Sequence, residues 1–131
     1  MNFVADYSRQ LSLSGMSEEK QAQIIDSRVL VFGVGGLGVA AVSYLTGAGV
    51  GAITLVDYDR IEASNLHRQT IYRVADIGAY KAEVCASYIS DRNPNCHISA
   101  LTTTVGTHKK RGSKNRVNRG YLVVQEGRKI R

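Results

Sequence analysis

The sequence predicts an α/β fold, in which a parallel β-sheet packs against helices, and three observations support this prediction. A stretch without charge runs from residue 29 to residue 56, between Arg28 and Asp57. Its seven glycines fall into two clusters instead of being spread evenly. Both ends of the stretch are rich in β-branched residues, which favour strands. We therefore expect residues 28–57 to form a strand, a helix and a second strand.

Each of the three pieces has its own signature. "RVLVFG" is a short apolar run typical of a strand buried on both faces. "GLGVAAVSYLTGAG" is predicted to be a helix with small residues on one side, ended by Gly47 and Gly49. "GAITLVD" is the second buried strand. A membrane span is the alternative, but a glycine in a helix interior costs about 1 kcal/mol, and we expect no membrane association.

Further along the chain, we predict a helix over about residues 79–90 and a third strand near 97–103. Because crossovers between parallel strands are right-handed, these elements predict a Rossmann-like sheet. The predicted fold is an incomplete doubly wound half with an N-terminal helical segment. A sheet of about three strands leaves one edge unpaired, and either "YLVV" near the C-terminus or a partner chain is expected to cover it.

The charge is divided unevenly along the chain. Residues 1–107 hold 8 basic and 10 acidic side chains, a net charge of −2, whereas residues 108–131 hold 9 basic and 1 acidic, a net charge of +8. The basic character therefore belongs to a short tail and does not indicate a nucleic-acid-binding fold. Cys85 and Cys96 form neither a disulfide framework nor a C-x-x-C motif. The N-terminus lacks an apolar signal segment, and we expect a cytoplasmic protein.

A glycine-rich turn follows the first predicted strand, with the spacing G-x-G-x-x-G. Its glycines are Gly33, Gly35, Gly36 and Gly38. In this arrangement the first glycine makes a tight turn, the second allows a phosphate to approach, and the third allows close helix packing. Asp57 follows 24 residues after Gly33, near the spacing at which an acid meets a ribose hydroxyl. The alternative is a turn selected only for packing.

Polar side chains cluster just after this βαβ unit. They are Asp57 and Asp59, then Asn65 and Arg68 in "SNLHRQ", then Lys81, with Arg9 upstream in "YSRQ". A forked arginine and a compact lysine suit a triphosphate, and nucleotidyl transfer needs cations around the phosphates. A nicotinamide dehydrogenase needs fewer cations, and it is the weaker alternative. Any single cation of this set could simply be solvated.

Five motifs in this order resemble the ThiF/MoeB family, the bacterial relatives of ubiquitin-activating enzymes. They are Tyr-x-Arg-Gln, Gly-x-Gly-Gly-Leu-Gly, Asp-x-Asp, Ser-Asn-Leu-x-Arg-Gln and Gly-x-x-Lys, and the similarity covers about residues 6–100. The resemblance implies ATP and Mg²⁺ as cofactors. It also implies adenylation of the C-terminal glycine of a ubiquitin-like sulfur-carrier protein that ends in Gly-Gly.

The resemblance further implies a role for individual residues. The backbone around Gly36 would face the phosphates, and Asp57 would hold the ribose hydroxyls. Three side chains would contact the phosphates: Asn65, Arg68 and Lys81. Arg9 would reach into the site of a second subunit, because members of the family are dimers. Asp59 lies near the ribose, and we do not expect it to replace the family's magnesium-binding acid, so no metal ligand is assigned.

We divide the chain into residues 1–107, the N-terminal part of a ThiF/MoeB-type nucleotide-binding domain, and a basic tail, residues 108–131. The resemblance ends soon after Leu101, before the family's magnesium-binding acid and carrier surface. The tail has three interpretations: a shifted reading frame, a segment that binds an acidic partner or nucleic acid, or a disordered end without a role. The expected function is adenylation with little activity in this chain alone; a nucleotide-binding remnant is the alternative.

Overall fold

The computed structural model describes residues 3–103 and the backbone of residues 121–125. Its helices are α1 (Ser8–Leu11), α2 (Glu18–Asp26), α3 (Gly36–Ala48) and α4 (Lys81–Arg92). Its strands are β1 (Arg28–Phe32), β2 (Ala52–Val56), β3 (His97–Leu101) and β4 (Tyr121–Gln125). Single 3₁₀ turns at Ala63–Asn65 and Val74–Asp76 lie between β2 and α4.

The sheet confirms the predicted α/β fold. Its strand order is β3-β2-β1-β4, and both β1–β2 and β2–β3 are parallel pairs. In the β1–β2 register Val29 lies opposite Ile53 and Val31 lies opposite Leu55. Since both crossovers advance in the same direction across the sheet, α3 and α4 lie on one face and contact each other. This arrangement is a Rossmann-like unit.

The fourth strand covers the free edge of β1. β4 pairs antiparallel with β1, and Phe32 lies opposite Tyr121. The segment "YLVV" was one of the two expected covers for this edge, so its pairing raises the sheet from about three strands to four. The rest of the basic tail, residues 108–120 and 126–131, lies outside the described part of the chain, as do residues 104–107.

The hydrophobic core lies between the sheet and the two crossover helices. Alternate residues of β1 and β2 point into it, among them Val29, Val31 and Leu55, each at most 4% exposed. α3 contributes Val42 and α4 contributes Ile89, and both are fully buried. On the opposite face of the sheet Leu30 and Phe32 are only partly buried. The two crossover helices α3 and α4 therefore form a layer on one face of the sheet.

Helix boundaries follow from local chemistry, with one correction. α3 ends at Ala48, with Gly49 at φ +100° as its C-cap, as predicted. Gly47, predicted as a second stop, lies inside the helix. It is tolerated there because its cost of about 1 kcal/mol is smaller than the gain from packing a 13-residue helix on the sheet. In the described ranges, no helix combines the length and the apolar character needed to cross a membrane.

Candidate functional site

The glycine turn joins the carboxyl end of β1 to the start of α3. Gly33 adopts φ +86°, a conformation that favours glycine. A Cβ on Gly38 would lie 1.9 Å from the carbonyl oxygen of Gly33, so only glycine allows the helix to pack this closely on the turn. Gly35 caps α3 without a side-chain hydrogen bond, and Gly36 is the first helical residue. The N–H groups at this end of α3 suit an anion.

Asp57 lies directly after β2 and holds the glycine turn. Its Oδ2 accepts the backbone N–H of Val34 at 2.9 Å, and its Oδ1 accepts the backbone N–H of Asp59 at 2.7 Å. The residue is 8% exposed. Each carboxylate oxygen has a second lone pair, so the side chain can still accept a hydrogen bond from a ligand hydroxyl at its exposed edge.

Arg68 lies over the start of α3. A Cβ on Gly36 would meet the Cδ and Cγ atoms of Arg68, each at 3.9 Å. The guanidinium is exposed and donates to the carbonyl oxygen of Ser64 at 3.2 Å. It also contacts Nε2 of His67 at 2.8 Å. An exposed cation next to free helical N–H groups forms a positively charged edge on the glycine turn.

Lys81 is the first residue of α4 and is 3% exposed. Its backbone N–H donates to the carbonyl oxygen of Asp59 at 3.0 Å, which ties α4 to the segment after β2. The structure thus brings four predicted residues to one edge of the sheet. Asp57 and Asp59 follow β2, Arg68 lies over the start of α3, and Lys81 is joined to Asp59 by this backbone hydrogen bond.

Asn65 lies in the same loop, but much of its side chain is already engaged. Its Oδ1 accepts the backbone N–H of Glu62 at 2.8 Å, which closes the 3₁₀ turn over Ala63–Asn65. The residue is 9% exposed. Only the Nδ2 amide therefore remains to donate to a ligand.

Arg9 lies at the other end of α3. Its neighbour Gln10 donates from Nε2 to the carbonyl oxygen of Ala48 at 3.1 Å, and Gln21 donates to the same oxygen at 3.0 Å. The 12 residue steps between Gly36 and Ala48 correspond to about 18 Å of helix. Within one chain, Arg9 is therefore separated from the glycine turn by the length of α3.

Sequence reasoning missed Tyr72, which contacts two parts of this edge. It is 4% exposed, and its hydroxyl donates to the carbonyl oxygen of Val34 at 2.7 Å. Burial is the main cause that raises the pKa of this phenol far above its usual value, so it remains a donor. No local sequence signal marks it, because its partner lies 38 residues away.

The two cysteines are free thiols buried in the structure. Cys85 is fully buried in α4, and Cys96 is 6% exposed. Burial raises the pKa of both thiols, that of Cys85 to about 12. Neither thiol is a nucleophile at neutral pH. Within residues 3–103, no three His, Cys, Asp or Glu side chains group to hold a metal ion.

Comparison with known proteins identifies a family and several relatives of this chain. The ThiF family matches residues 7–124. "Adenylyltransferase and sulfurtransferase MOCS3" of Drosophila grimshawi is 49% identical over 96 residues, which cover 73% of this chain and 21% of the relative. "Sulfur carrier protein ThiS adenylyltransferase" of Escherichia coli is 41% identical over 95 residues, covering 72% and 38%. The chain thus spans well under half the length of these curated relatives.

A solved structure with the same fold contains a nucleotide. The structure of E. coli tRNA N6-threonylcarbamoyladenosine dehydratase in complex with ATP superposes with a TM-score of 0.69 at 33% identity. The superposition covers 79% of this chain and 44% of that one. The relatives named as adenylyltransferases and this dehydratase differ in what their names say they act on.

Proposed function

We propose, since this chain belongs to the ThiF family, that it binds ATP at the glycine turn. We further propose that it contributes this site to adenylation of the C-terminal glycine of a ubiquitin-like sulfur-carrier protein. One observation carries the proposal: the Arg68 side chain lies over Gly36, at the positive end of α3. ATP in the related dehydratase structure supports the nucleotide. The name of the ThiS adenylyltransferase supports the carrier.

The described side chains can divide the work of binding ATP. The carboxylate of Asp57 accepts the ribose hydroxyls, and the phosphates lie against the start of α3. Two cations of different geometry, Arg68 and Lys81, meet the triphosphate charge, with the Nδ2 of Asn65 as a further donor. Bound Mg²⁺ would be held largely by the phosphate oxygens of the nucleotide, because Mg²⁺ commonly uses only one or two protein carboxylates together with substrate phosphates.

In the proposed reaction, a carboxylate oxygen of the carrier's terminal glycine bonds to the α-phosphorus of ATP. The bond from that phosphorus to the oxygen bridging to the β-phosphorus breaks, and pyrophosphate leaves with the electron pair. Arg68 and Lys81 stabilise the negative charge that grows on the departing phosphates. These side chains thus serve positioning and charge neutralisation, the two needs of phosphoryl and nucleotidyl transfer.

A homodimer would bring Arg9 to this site. α3 contains no charged residue, and one face of it is exposed, with Leu37 76% and Tyr44 81% exposed. If two copies pack these faces antiparallel about a two-fold axis, the Ala48 end of one α3 meets the Gly36 end of the other. Arg9, held at the Ala48 end, then approaches the partner's phosphates. This geometry accounts for an arginine about 18 Å from the turn in its own chain.

ATP binding is tested by titrating the chain with ATP and, separately, with NAD⁺ in a calorimeter. We expect ATP to bind and NAD⁺ not to bind. Arg68→Ala or Lys81→Ala should each lower the affinity for ATP about 10- to 100-fold, the effect of losing one charged hydrogen bond or ion pair. Arg73→Ala is the matched control, because Arg73 is an exposed arginine paired with Asp76 at 3.2 Å. Binding of NAD⁺ alone would restore the dehydrogenase alternative.

The reaction is tested by pyrophosphate exchange with a carrier protein that ends in Gly-Gly. We expect little or no exchange from this chain alone, because the family resemblance ends before the family's magnesium-binding acid and carrier surface. Robust exchange that is lost in Lys81→Ala would contradict this expectation and place a sufficient active site in the chain. ATP binding without exchange under any condition would leave a nucleotide-binding remnant as the function.

A further inference from the structure

The hydroxyl of Tyr72 links two segments that the proposed function places around the phosphates. It donates to the carbonyl oxygen of Val34 at 2.7 Å, within the glycine turn, and lies 3.4 Å from the carbonyl oxygen of Lys81 at the start of α4. The ring is 4% exposed. A buried hydroxyl that meets backbone of both segments can hold their separation constant.

We propose that Tyr72 is a positioning residue, which sets the spacing between the glycine turn and Lys81 for the phosphates of ATP. This inference rests on the proposed function. Tyr72 itself would not touch the nucleotide, since its hydroxyl is directed at backbone carbonyls. It would act through Val34 on one side and through Lys81 on the other.

The two peptide groups that flank Val34 show why the hydroxyl matters. The N–H of Val34, in the peptide group it shares with Gly33, donates to the carboxylate of Asp57 at 2.9 Å, and the carbonyl of Val34, in the peptide group it shares with Gly35, accepts from Tyr72 at 2.7 Å. Val34 is fully buried. Without the Tyr72 contact, the peptide group between Val34 and Gly35 is free to rotate, which moves the N–H of Gly35 and the N–H groups that follow it in the turn.

The same residue lies close in sequence to the second cation. Arg68 precedes Tyr72 by four residues, and the loop between them is closed by a bond from the Tyr72 N–H to the carbonyl oxygen of Gln69 at 3.2 Å. The Tyr72 hydroxyl therefore contacts the glycine turn and the start of α4 directly, and Arg68 lies one turn of backbone away. Binding sites lose affinity when such groups move by about 0.5 Å to 1 Å.

A purely packing role for the ring is the competing explanation, and Tyr72→Phe separates the two. The variant keeps the ring in the core and removes only the hydroxyl. Tyr88→Phe is the matched control: Tyr88 is a half-buried tyrosine on α4 whose ring lies 4.9 Å from the guanidinium carbon of Arg92, a contact that phenylalanine keeps. Both variants are made in the full 131-residue chain.

Two measurements are made on each protein. Calorimetry gives the affinities for ATP and for AMP, and we expect Tyr72→Phe to weaken ATP about 3- to 10-fold, the worth of one hydrogen bond, with AMP changed less than twofold. Hydrogen exchange gives the opening of individual backbone amides. We expect faster exchange in residues 33–38 and 81–84 of the variant, with β2 and β3 unchanged. Tyr88→Phe should match the wild type in both.

Each outcome decides the inference. Equal losses for ATP and AMP, or exchange rates equal to those of the wild type, overturn it, because a packing role predicts no selective effect on the two segments. If the wild type binds no ATP, the proposed function fails. The exchange rates then decide by themselves whether Tyr72 couples the turn to α4.

Discussion

Asp57 and Val34 are joined across the carboxyl edge of the sheet, where the N–H of Val34 donates to Oδ2 of Asp57 at 2.9 Å. The residue assigned to the ribose from its sequence position is therefore also a structural support of the glycine turn. A change at this carboxylate must therefore affect the glycine turn as well as the proposed ribose contact.

The first prediction concerns Asp57→Asn. The carboxylate accepts two backbone N–H groups, and an amide can offer an oxygen to only one of them. The other N–H then faces an NH₂ group, so we expect a loss of about 1–3 kcal/mol in the free energy of unfolding. Urea titration measures it. Asp26→Asn, at an exposed carboxylate in α2, should change stability by less than about 0.5 kcal/mol.

The second prediction concerns the glycines of α3. In Gly38→Ala the new Cβ would lie 1.9 Å from the carbonyl oxygen of Gly33, so the turn or the helix must move. We expect a loss of at least about 3 kcal/mol, read from the thermal unfolding curve. Gly47→Ala is the control in the same helix, where nothing lies within 4 Å of the added atom. It should stabilise the protein by up to about 1 kcal/mol.

The third prediction tests the proposed dimer by complementation. Arg9→Ala and Arg68→Ala should each bind ATP poorly as pure proteins. After unfolding and refolding together in equal amounts, half of the dimers are mixed, and each mixed dimer has one site with both arginines. About one quarter of all sites should then bind ATP with wild-type affinity. Adding Tyr44→Asp to both proteins should abolish the recovery, since it puts a charge on the exposed α3 face.

Recovery that survives Tyr44→Asp would place the subunit contact elsewhere. If both variants fold but the mixture regains no ATP binding, Arg9 does not act in the site of a partner subunit. Analytical ultracentrifugation of the wild type and Tyr44→Asp gives the oligomeric state independently of ATP.

The fourth prediction concerns pH. Burial raises the pKa of the Cys85 thiol to about 12, whereas an unfolded thiol ionises near its usual pKa of 9.0. Between these values the unfolded state has released a proton that the folded state keeps. The contribution of the protonated Cys85 thiol to the free energy of unfolding is therefore fully present below about pH 9. Above that pH the free energy of unfolding falls by about 1.4 kcal/mol per pH unit. The raised pKa of Tyr72 acts in the same direction.

Urea titrations between pH 8 and pH 11 measure this dependence. Cys85→Ala should be less stable at pH 8 but lose less stability as the pH rises. Parallel curves for the variant and the wild type would contradict the assignment of the dependence to Cys85. Iodoacetamide at pH 8 should modify Cys85 only after unfolding, because its side chain is fully buried when folded.

Local patterns in the sequence were sufficient for the βαβ unit and the glycine turn. The runs "RVLVFG" and "GAITLVD" formed strands β1 and β2, and α3 began and ended within two residues of its glycine signals. These signals are short-range, since strand propensity, capping and a positive φ depend on a residue and its near neighbours. The motif order pointed to the family for the same reason, as each motif lies within one short segment.

The tertiary structure decided what depends on contacts between distant segments. Tyr72 meets Val34 across 38 residues, and β4 pairs antiparallel with β1 although it lies at the far end of the chain. Arg9 belongs to a family motif, yet its segment is bonded to the Ala48 end of α3, opposite the glycine turn. The sequence by itself determined the elements and the types of side chain proposed for the nucleotide site. Only packing determined which of them share one edge of the sheet, because such contacts form between surfaces whose proximity no local pattern encodes.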